Sequence, residues 1–144
     1  MIIRIALAAT VAAFAATAVV AQSDPVATRK GLMKGIGGAN RDITEMLDGK
    51  QPFDVNKAKA ALTTMSENAA KMPALFPANS KDGDTAALPV IWEKKADFDA
   101  KMTKFSADAK AADGKVSNAE TLKTEVGDVR KNCGGCHNEY RKKS

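Results

Sequence analysis

The amino-acid sequence predicts an all-α protein, an antiparallel up-down four-helix bundle. In four segments the apolar residues recur three and four positions apart, which places them on one face of a helix. No segment shows the convincing alternation of apolar and polar residues that would indicate a strand. The joints between the segments are mostly short, and short joints favour antiparallel neighbours.

The first predicted helix begins at Pro25 and ends before Gly49, because proline suits the first helical turn and glycine suits the stop. One face of this helix carries Val26, Met33, Ile36, Asn40, Ile43 and Leu47, all apolar except Asn40. The second predicted helix starts after Asp54, a good N-cap, and ends at Pro73, since proline disfavours helix in the residue before it. Its face carries Leu62, Met65, Ala69 and Met72.

A connection with several prolines spans residues 73–89, and Phe76 is its one large apolar anchor. The third predicted helix follows and breaks at Asp113–Gly114; its stripe is Ile91, Phe98, Met102, Phe105 and Ala109. The fourth opens with residues 117–120, which fit a capping box from Ser117 to Glu120. Its stripe is Leu122, Val126, Val129, Cys133 and His137.

Residues 1–21 predict a cleaved signal peptide. Arg4 supplies a positive charge, residues 5–20 are uncharged, and short side chains precede a cut after Ala21. A membrane anchor is the alternative, because the apolar stretch has nearly the length of a short spanning helix, but no basic stop-transfer cluster follows. Residues 22–144 suffice for one domain, which we expect in the periplasm.

The charge of the chain is mildly positive. The whole sequence has a formal net charge of +5, and removal of the leader takes away only Arg4 and leaves +4. The basic residues are spread along the chain, which argues against nucleic acid as a partner. Aromatic residues make up only 5% of the sequence, so a large planar cofactor would supply apolar volume that the core otherwise lacks.

The segment Cys133-Gly134-Gly135-Cys136-His137 is the strongest chemical motif. Residues three apart on a helix project to one side, so two thiols can add to the two vinyl groups of one porphyrin. The histidine that follows then lies under the iron as its proximal ligand. The motif therefore predicts one covalently attached haem c.

Three other interpretations of the motif are weaker. A redox dithiol of the thioredoxin kind needs a βαβ setting, and a structural zinc site would lack a fourth ligand. A simple disulfide would leave His137 without a role. Because His137 is the only histidine, bis-histidine ligation within one chain is excluded, and the sixth iron position must hold methionine, lysine, a small molecule or nothing.

The order of several short motifs resembles the class II cytochromes c, which comprise cytochrome c prime and low-spin, cytochrome c-556-like members. The resemblance covers almost all of residues 22–144, with the haem motif near the carboxyl terminus. It rests on residues 29–33 (RKGLM), 52–54 (PFD), 73–77 (PALFP), 87–92 (ALPVIW) and the CxxCH motif with Tyr140-Arg141.

The resemblance implies a left-handed antiparallel bundle, often a homodimer through its first two helices, with the first helix over the distal haem face. Met33 falls where low-spin members have their methionine ligand, although high-spin members place a bulky apolar residue there that crowds the iron without binding it. Arg29 falls where the family often places an arginine near the haem edge and propionates.

Two functions follow from the two states of Met33. Ligation by Met33 and His137 closes the iron and suits one-electron transfer between periplasmic redox proteins, which is the function we expect. An open sixth position would instead bind nitric oxide or carbon monoxide and suit gas capture or detoxification. A peroxidase-like enzyme is disfavoured, because no second histidine is present to handle protons on the distal side.

Three glycines, Gly31, Gly35 and Gly38, recur at helical spacing in the first helix. Each costs up to about 1 kcal/mol relative to alanine in a helix interior. They indicate either a weak or kinked helix or a close backbone approach to another helix or subunit.

Overall fold

The computed structural model describes residues 24–143, so the predicted signal peptide, residues 1–21, lies outside the described residues. Its helices are α1 (Pro25–Leu47), α2 (Val55–Lys71), α3 (Val90–Glu93), α4 (Lys95–Lys115) and α5 (Ala119–Tyr140), with 3-10 turns at Met72–Leu75 and Ala78–Ser80. The four long helices form the predicted all-α bundle. Within the described range, no helix has both the length and the apolar character needed to cross a bilayer.

Short-range sequence signals set the ends of α1 and α2. The Asp24 carboxylate accepts a hydrogen bond from the backbone N–H of Val26 at 2.9 Å, and Pro25 occupies the first turn of α1. Gly49 follows the helix with φ +71°, a conformation that glycine adopts without steric cost. At α2 the Asp54 carboxylate accepts from two backbone N–H groups at 2.8 and 3.0 Å. Both predicted helix starts are confirmed.

The predicted ends of the second and third helices need correction. Helix α2 ends at Lys71, two residues before Pro73. The chain then forms a 3-10 turn that contains Pro73. The third segment is split at Lys94, whose φ of −112° and ψ of 41° separate α3 from α4. Helix α4 also runs through Gly114 to Lys115, which places the buried Val116 at its C-cap.

The N-terminus of α5 is capped one residue later than the sequence predicts. Asn118, not Ser117, is the N-cap: its side chain accepts from the backbone N–H of Thr121 at 2.9 Å. The Thr121 hydroxyl accepts in return from the backbone N–H of Asn118 at 3.0 Å. Threonine therefore takes the place that the predicted capping box gave to Glu120, because its short hydroxyl reaches two neighbouring backbone groups.

The core lies between helices that follow one another in the chain, with α1 against α2, α2 against α4 and α4 against α5. Helices α1 and α5 pack against each other much less, so a slot remains between the first and last helices. The fully buried apolar side chains include Ile43, Leu62, Met72, Ala109 and Leu122. In the part of the chain that the structure describes, the one β-type contact is an isolated bridge between Ala87 and Arg141.

Close backbone approach explains one of the three glycines in α1. A Cβ added at Gly35 would lie 2.7 Å from Nδ2 of Asn68 on α2, an atom that donates to the Leu32 carbonyl at 3.2 Å. At Gly31 and Gly38 an added Cβ would meet no atom within 4 Å. The predicted approach to a partner helix is therefore confirmed for Gly35 alone.

Candidate haem site

A cavity of about 430 Å³ occupies the slot between α1 and α5, and the connection of residues 72–89 covers one end of it. Most of its wall is apolar. The lining residues are Arg29, Lys30, Met33, Ile36, Gly37 and Asn40 from α1; Met72, Phe76, Thr85, Ala86 and Ala87 from the connection; Ile91 and Phe98; and Cys133, Cys136, His137, Tyr140 and Arg141 from α5 and its end.

The α5 wall carries all three residues of the predicted haem motif. Cys136 is buried, whereas Cys133 and His137 are half-buried. Burial raises the pKa of the Cys133 thiol and raises the pKa of Cys136 to about 11. Burial also lowers the pKa of His137, with a smaller contribution from the charge of Arg141. The imidazole is therefore held in its neutral form, the form that binds a metal.

Met33 lies on the opposite wall of the same cavity, on α1. It is half-buried, whereas Met46 and Met65 are buried in the core. Met72 is also fully buried but borders the cavity, so the cavity wall contains two thioethers rather than one.

Arg29 borders the cavity and fastens the connection that covers it. Its side chain is only 4% exposed. Its terminal nitrogens donate to the carbonyl of Leu75 at 3.2 Å, to the hydroxyl and carbonyl of Ser80 at 3.1 and 2.9 Å, and to the hydroxyl of Thr85 at 2.9 Å. Burial lowers the pKa of the guanidinium, a shift that Asp24 opposes. The four bonds join Arg29 to the connection. A contact between Arg29 and a haem propionate stays a prediction.

An aromatic wall closes the covered end of the cavity. Phe76 and Phe98 pack edge to face with ring centroids 4.6 Å apart, and Phe98 packs in the same way on Tyr140 at 5.4 Å. The Arg29 guanidinium lies 4.6 Å from the centroid of the Phe76 ring. The sequence marked Phe76 as an anchor but gave Phe98 and Tyr140 no site role. Tyr140 could have been found, since it lies three positions after His137 and so shares its helix face.

The rim of the cavity joins the connection to the end of α5. The backbone N–H of Leu88 donates to the Tyr140 carbonyl at 2.9 Å, and that of Lys142 donates to the Ala86 carbonyl at 2.8 Å. These bonds place Thr85, Ala86 and Ala87 at the rim of the cavity. No local sequence signal predicts them, because backbone pairing at such separations leaves no side-chain pattern.

These residues fit a covalently attached haem. Two thiols one helical turn apart and the adjacent imidazole line a single wall, and an apolar, partly aromatic cavity suits a large planar ring. Arg141 adds positive charge at the lining, which would complement the carboxylates of such a group, and Lys30, also at the lining, is paired with Asp84.

A helical bundle whose last helix presents CxxCH to an apolar slot defines a c-type cytochrome. The family model described as cytochrome c' matches residues 24–141. The chain therefore belongs to the cytochrome c' family of class II cytochromes c, and its cofactor is one covalently attached haem c. The predicted family, fold class and cofactor are confirmed.

Named relatives agree with this assignment. Cytochrome c' of Rhodopseudomonas palustris is 42% identical over 144 residues, which cover 99% of each chain. A cytochrome c-556 of Agrobacterium tumefaciens is 39% identical over 119 residues, 82% of this chain and 97% of the relative. The solved structure of cytochrome c' from Rhodopseudomonas palustris superposes with a TM-score of 0.82 at 44% identity, and covers 85% of this chain and 99% of that one.

Proposed function

We propose that this monohaem cytochrome is exported to the periplasm and carries single electrons between redox proteins, with His137 and Met33 as the two axial ligands of its iron. One observation carries the proposal: Met33 and His137 lie on opposite walls of the same cavity. A planar group between those walls would have one of these side chains on each face. We further propose that the protein has no enzymatic activity of its own.

In this proposal each residue of the motif has a separate task. Cys133 and Cys136 would hold the haem covalently through thioether bonds to its two vinyl groups. His137 would supply a ring nitrogen as a ligand to the iron. The bound haem supplies a centre that gains and loses one electron reversibly.

Met33 supplies a soft thioether, a ligand that raises the reduction potential. The buried rings of Phe76, Phe98 and Tyr140 keep water out of the covered end of the slot. Two protein ligands and fastened walls would leave little to rearrange when the haem gains or loses an electron.

Binding of nitric oxide or carbon monoxide at an open sixth position is the second candidate function. One observation favours it: a relative that is 42% identical over 144 residues is named cytochrome c'.

Optical spectra of the ferric and ferrous holoprotein, with and without carbon monoxide, test the proposal. We expect a low-spin spectrum that ignores the gas. The variant Met33→Leu should become high-spin and bind carbon monoxide, whereas Met72→Leu, at the other methionine on the cavity wall, should keep the original spectrum. A wild-type protein that is high-spin and binds the gas would replace electron transfer by the second candidate.

The predicted cleavage site and the homodimer that the family resemblance implies are tested separately. Cleavage after Ala21 predicts that the mature protein begins at Gln22, which mass spectrometry of the periplasmic fraction would check.

A homodimer through α1 and α2 predicts a contact at the groove lined by Gly35, Gly38, Ala60 and Thr64, among others. Sedimentation that shows a monomer at all working concentrations would reject the dimer.

A further inference from the structure

The slot between α1 and α5 is fastened differently at its two ends. At the covered end, Arg29 on α1 bonds to the connection, and the connection bonds to the end of α5. At the far end, a single side chain spans the two helices directly. The guanidinium of Arg130 on α5 donates through Nε to the Asn40 side-chain oxygen at 2.7 Å and through Nη2 to the Thr44 hydroxyl at 2.6 Å.

The bridging contact lies close to the site. Arg130 precedes Cys133 by one helical turn, and Asn40 itself lines the cavity. Asn40 follows Met33 by seven residues on α1, about 10 Å along the helix at 1.5 Å per residue. Because α1 is a continuous helix from Pro25 to Leu47, a displacement at Asn40 moves the whole wall that carries Met33.

The bridge is also the main polar connection at an otherwise weak contact. Helices α1 and α5 pack together less than the other neighbouring pairs, so direct apolar contact between the two helices does little to set their separation here. The donor is a charged guanidinium and both acceptors are neutral, which makes these charge-assisted hydrogen bonds with defined geometry. The Thr44 hydroxyl is itself oriented, since it donates to the Asn40 carbonyl at 2.8 Å.

We propose that Arg130, through Asn40 and Thr44, is a positioning residue that fixes the width of the haem slot and thereby how closely Met33 approaches the iron. The inference rests on the proposed ligation by Met33. Loss of the bridge lets α1 move away from α5. The sixth position then opens for part of the time without any change to His137 or Met33.

The test compares Arg130→Met with Arg41→Met as holoproteins. Methionine keeps an unbranched apolar stem and removes the donors. Arg41 is a matched control, because it is 71% exposed on α1 and reaches only Asp42 and Glu45, at 3.8 and 3.9 Å. Three quantities are measured: the rate constant for carbon monoxide binding to the ferrous protein, the high-spin fraction of the ferric spectrum, and amide hydrogen exchange of residues 29–40.

For Arg130→Met we expect carbon monoxide to bind about tenfold faster, as befits the loss of hydrogen bonds from a charged donor. The high-spin fraction and the exchange of residues 29–40 should rise with it, while Arg41→Met stays within about twofold of the wild type. Thr44→Val, which removes one acceptor at nearly constant shape, should shift all three in the same direction by less. If Arg130→Met does not yield holoprotein, Thr44→Val decides alone.

The outcomes separate this inference from the proposed function. A low-spin wild type with Arg130→Met and Thr44→Val indistinguishable from it would overturn the positioning role and leave electron transfer standing. A high-spin spectrum of the wild-type protein would contradict ligation of the iron by Met33. In that case faster carbon monoxide binding and faster exchange in Arg130→Met would still support control of the slot width, and unchanged values would overturn it.

Discussion

Replacement of Arg29 by methionine removes the guanidinium that holds the connection over the cavity and leaves the apolar stem in place. The side chain is 4% exposed and donates four hydrogen bonds to Leu75, Ser80 and Thr85. Ser80 is itself only 3% exposed, so its acceptors would lose a partner that water replaces poorly.

The expected loss of stability follows from these contacts. Hydrogen bonds from a charged donor contribute about 1.5–3 kcal/mol each, but four bonds from one group are not additive. Arg29→Met leaves several neutral acceptors without their donor, at about 1–3 kcal/mol for each that stays buried, and we expect a total loss of about 3–5 kcal/mol. With a urea dependence of roughly 2 kcal/mol per molar, the unfolding midpoint should fall by roughly 2 M.

The assay is urea unfolding of the holoproteins followed by far-ultraviolet circular dichroism, with Arg41→Met as the matched control. Exposed Arg41 should change the free energy of unfolding by less than about 0.5 kcal/mol. Limited proteolysis gives a local readout, since Arg29→Met should expose residues 77–85 to cleavage before the helices. An unfolding free energy for Arg29→Met within about 1 kcal/mol of the control, with unchanged proteolysis, would refute the anchoring role.

Three other predictions concern the haem motif, α1 and α2. Cys133→Ser or Cys136→Ser should weaken haem retention in denaturant, and His137→Ala should fail to mature; normal holoprotein from His137→Ala would contradict its role as ligand. Gly31→Ala should raise the free energy of unfolding by about 0.5–1 kcal/mol, because no atom lies within 4 Å of the new methyl group. Gly35→Ala should be about 1 kcal/mol less favourable than Gly31→Ala, since its methyl group displaces the Asn68 amide from the Leu32 carbonyl. An Asn68→Ala background that leaves this difference intact would contradict the explanation. Asp54→Ala should cost about 1 kcal/mol in thermal unfolding through loss of two capping bonds, and an effect no larger than that of Asp82→Ala in the exposed connection would argue against it.

Local signals carried much of the fold. Asp24, Asp54 and Pro25 act on backbone groups within three residues of themselves, so their effect can be predicted from neighbouring letters. The helical stripes were equally local. The sequence predicted a break at Asp113–Gly114, but α4 continues to Lys115. Burial of Val116 against the rest of the molecule outweighs the helix-breaking tendency of glycine, and that burial cannot be seen in the local sequence.

The candidate haem site also combines features that local sequence predicts with contacts that it does not. The CxxCH motif is contiguous, so its three residues could be proposed from spacing alone, and the structure places them on one cavity wall. Arg29 was named from a resemblance, but its bonds to Leu75, Ser80 and Thr85 span 46 to 56 positions and leave no periodic trace. Arg130 and Asn40 are 90 positions apart, and nothing in either neighbourhood marks them as partners. Long-range polar contacts were therefore the part of the site that only the three-dimensional structure could reveal.

One wall of the slot is α1, the first helix of the chain, and the other is α5, the last helix. This arrangement affects the order in which the bundle can fold. Contacts within the pairs α1–α2, α2–α4 and α4–α5 join neighbouring elements, whereas closure of the slot joins the two ends of the chain and carries the largest loop-closure entropy. We therefore expect closure to come late, while the side of α5 that faces the slot and carries Cys133 and Cys136 is still accessible. A haem attached at that stage would offer α1 an apolar surface to pack against. The cofactor would then act as a template for the final folding step.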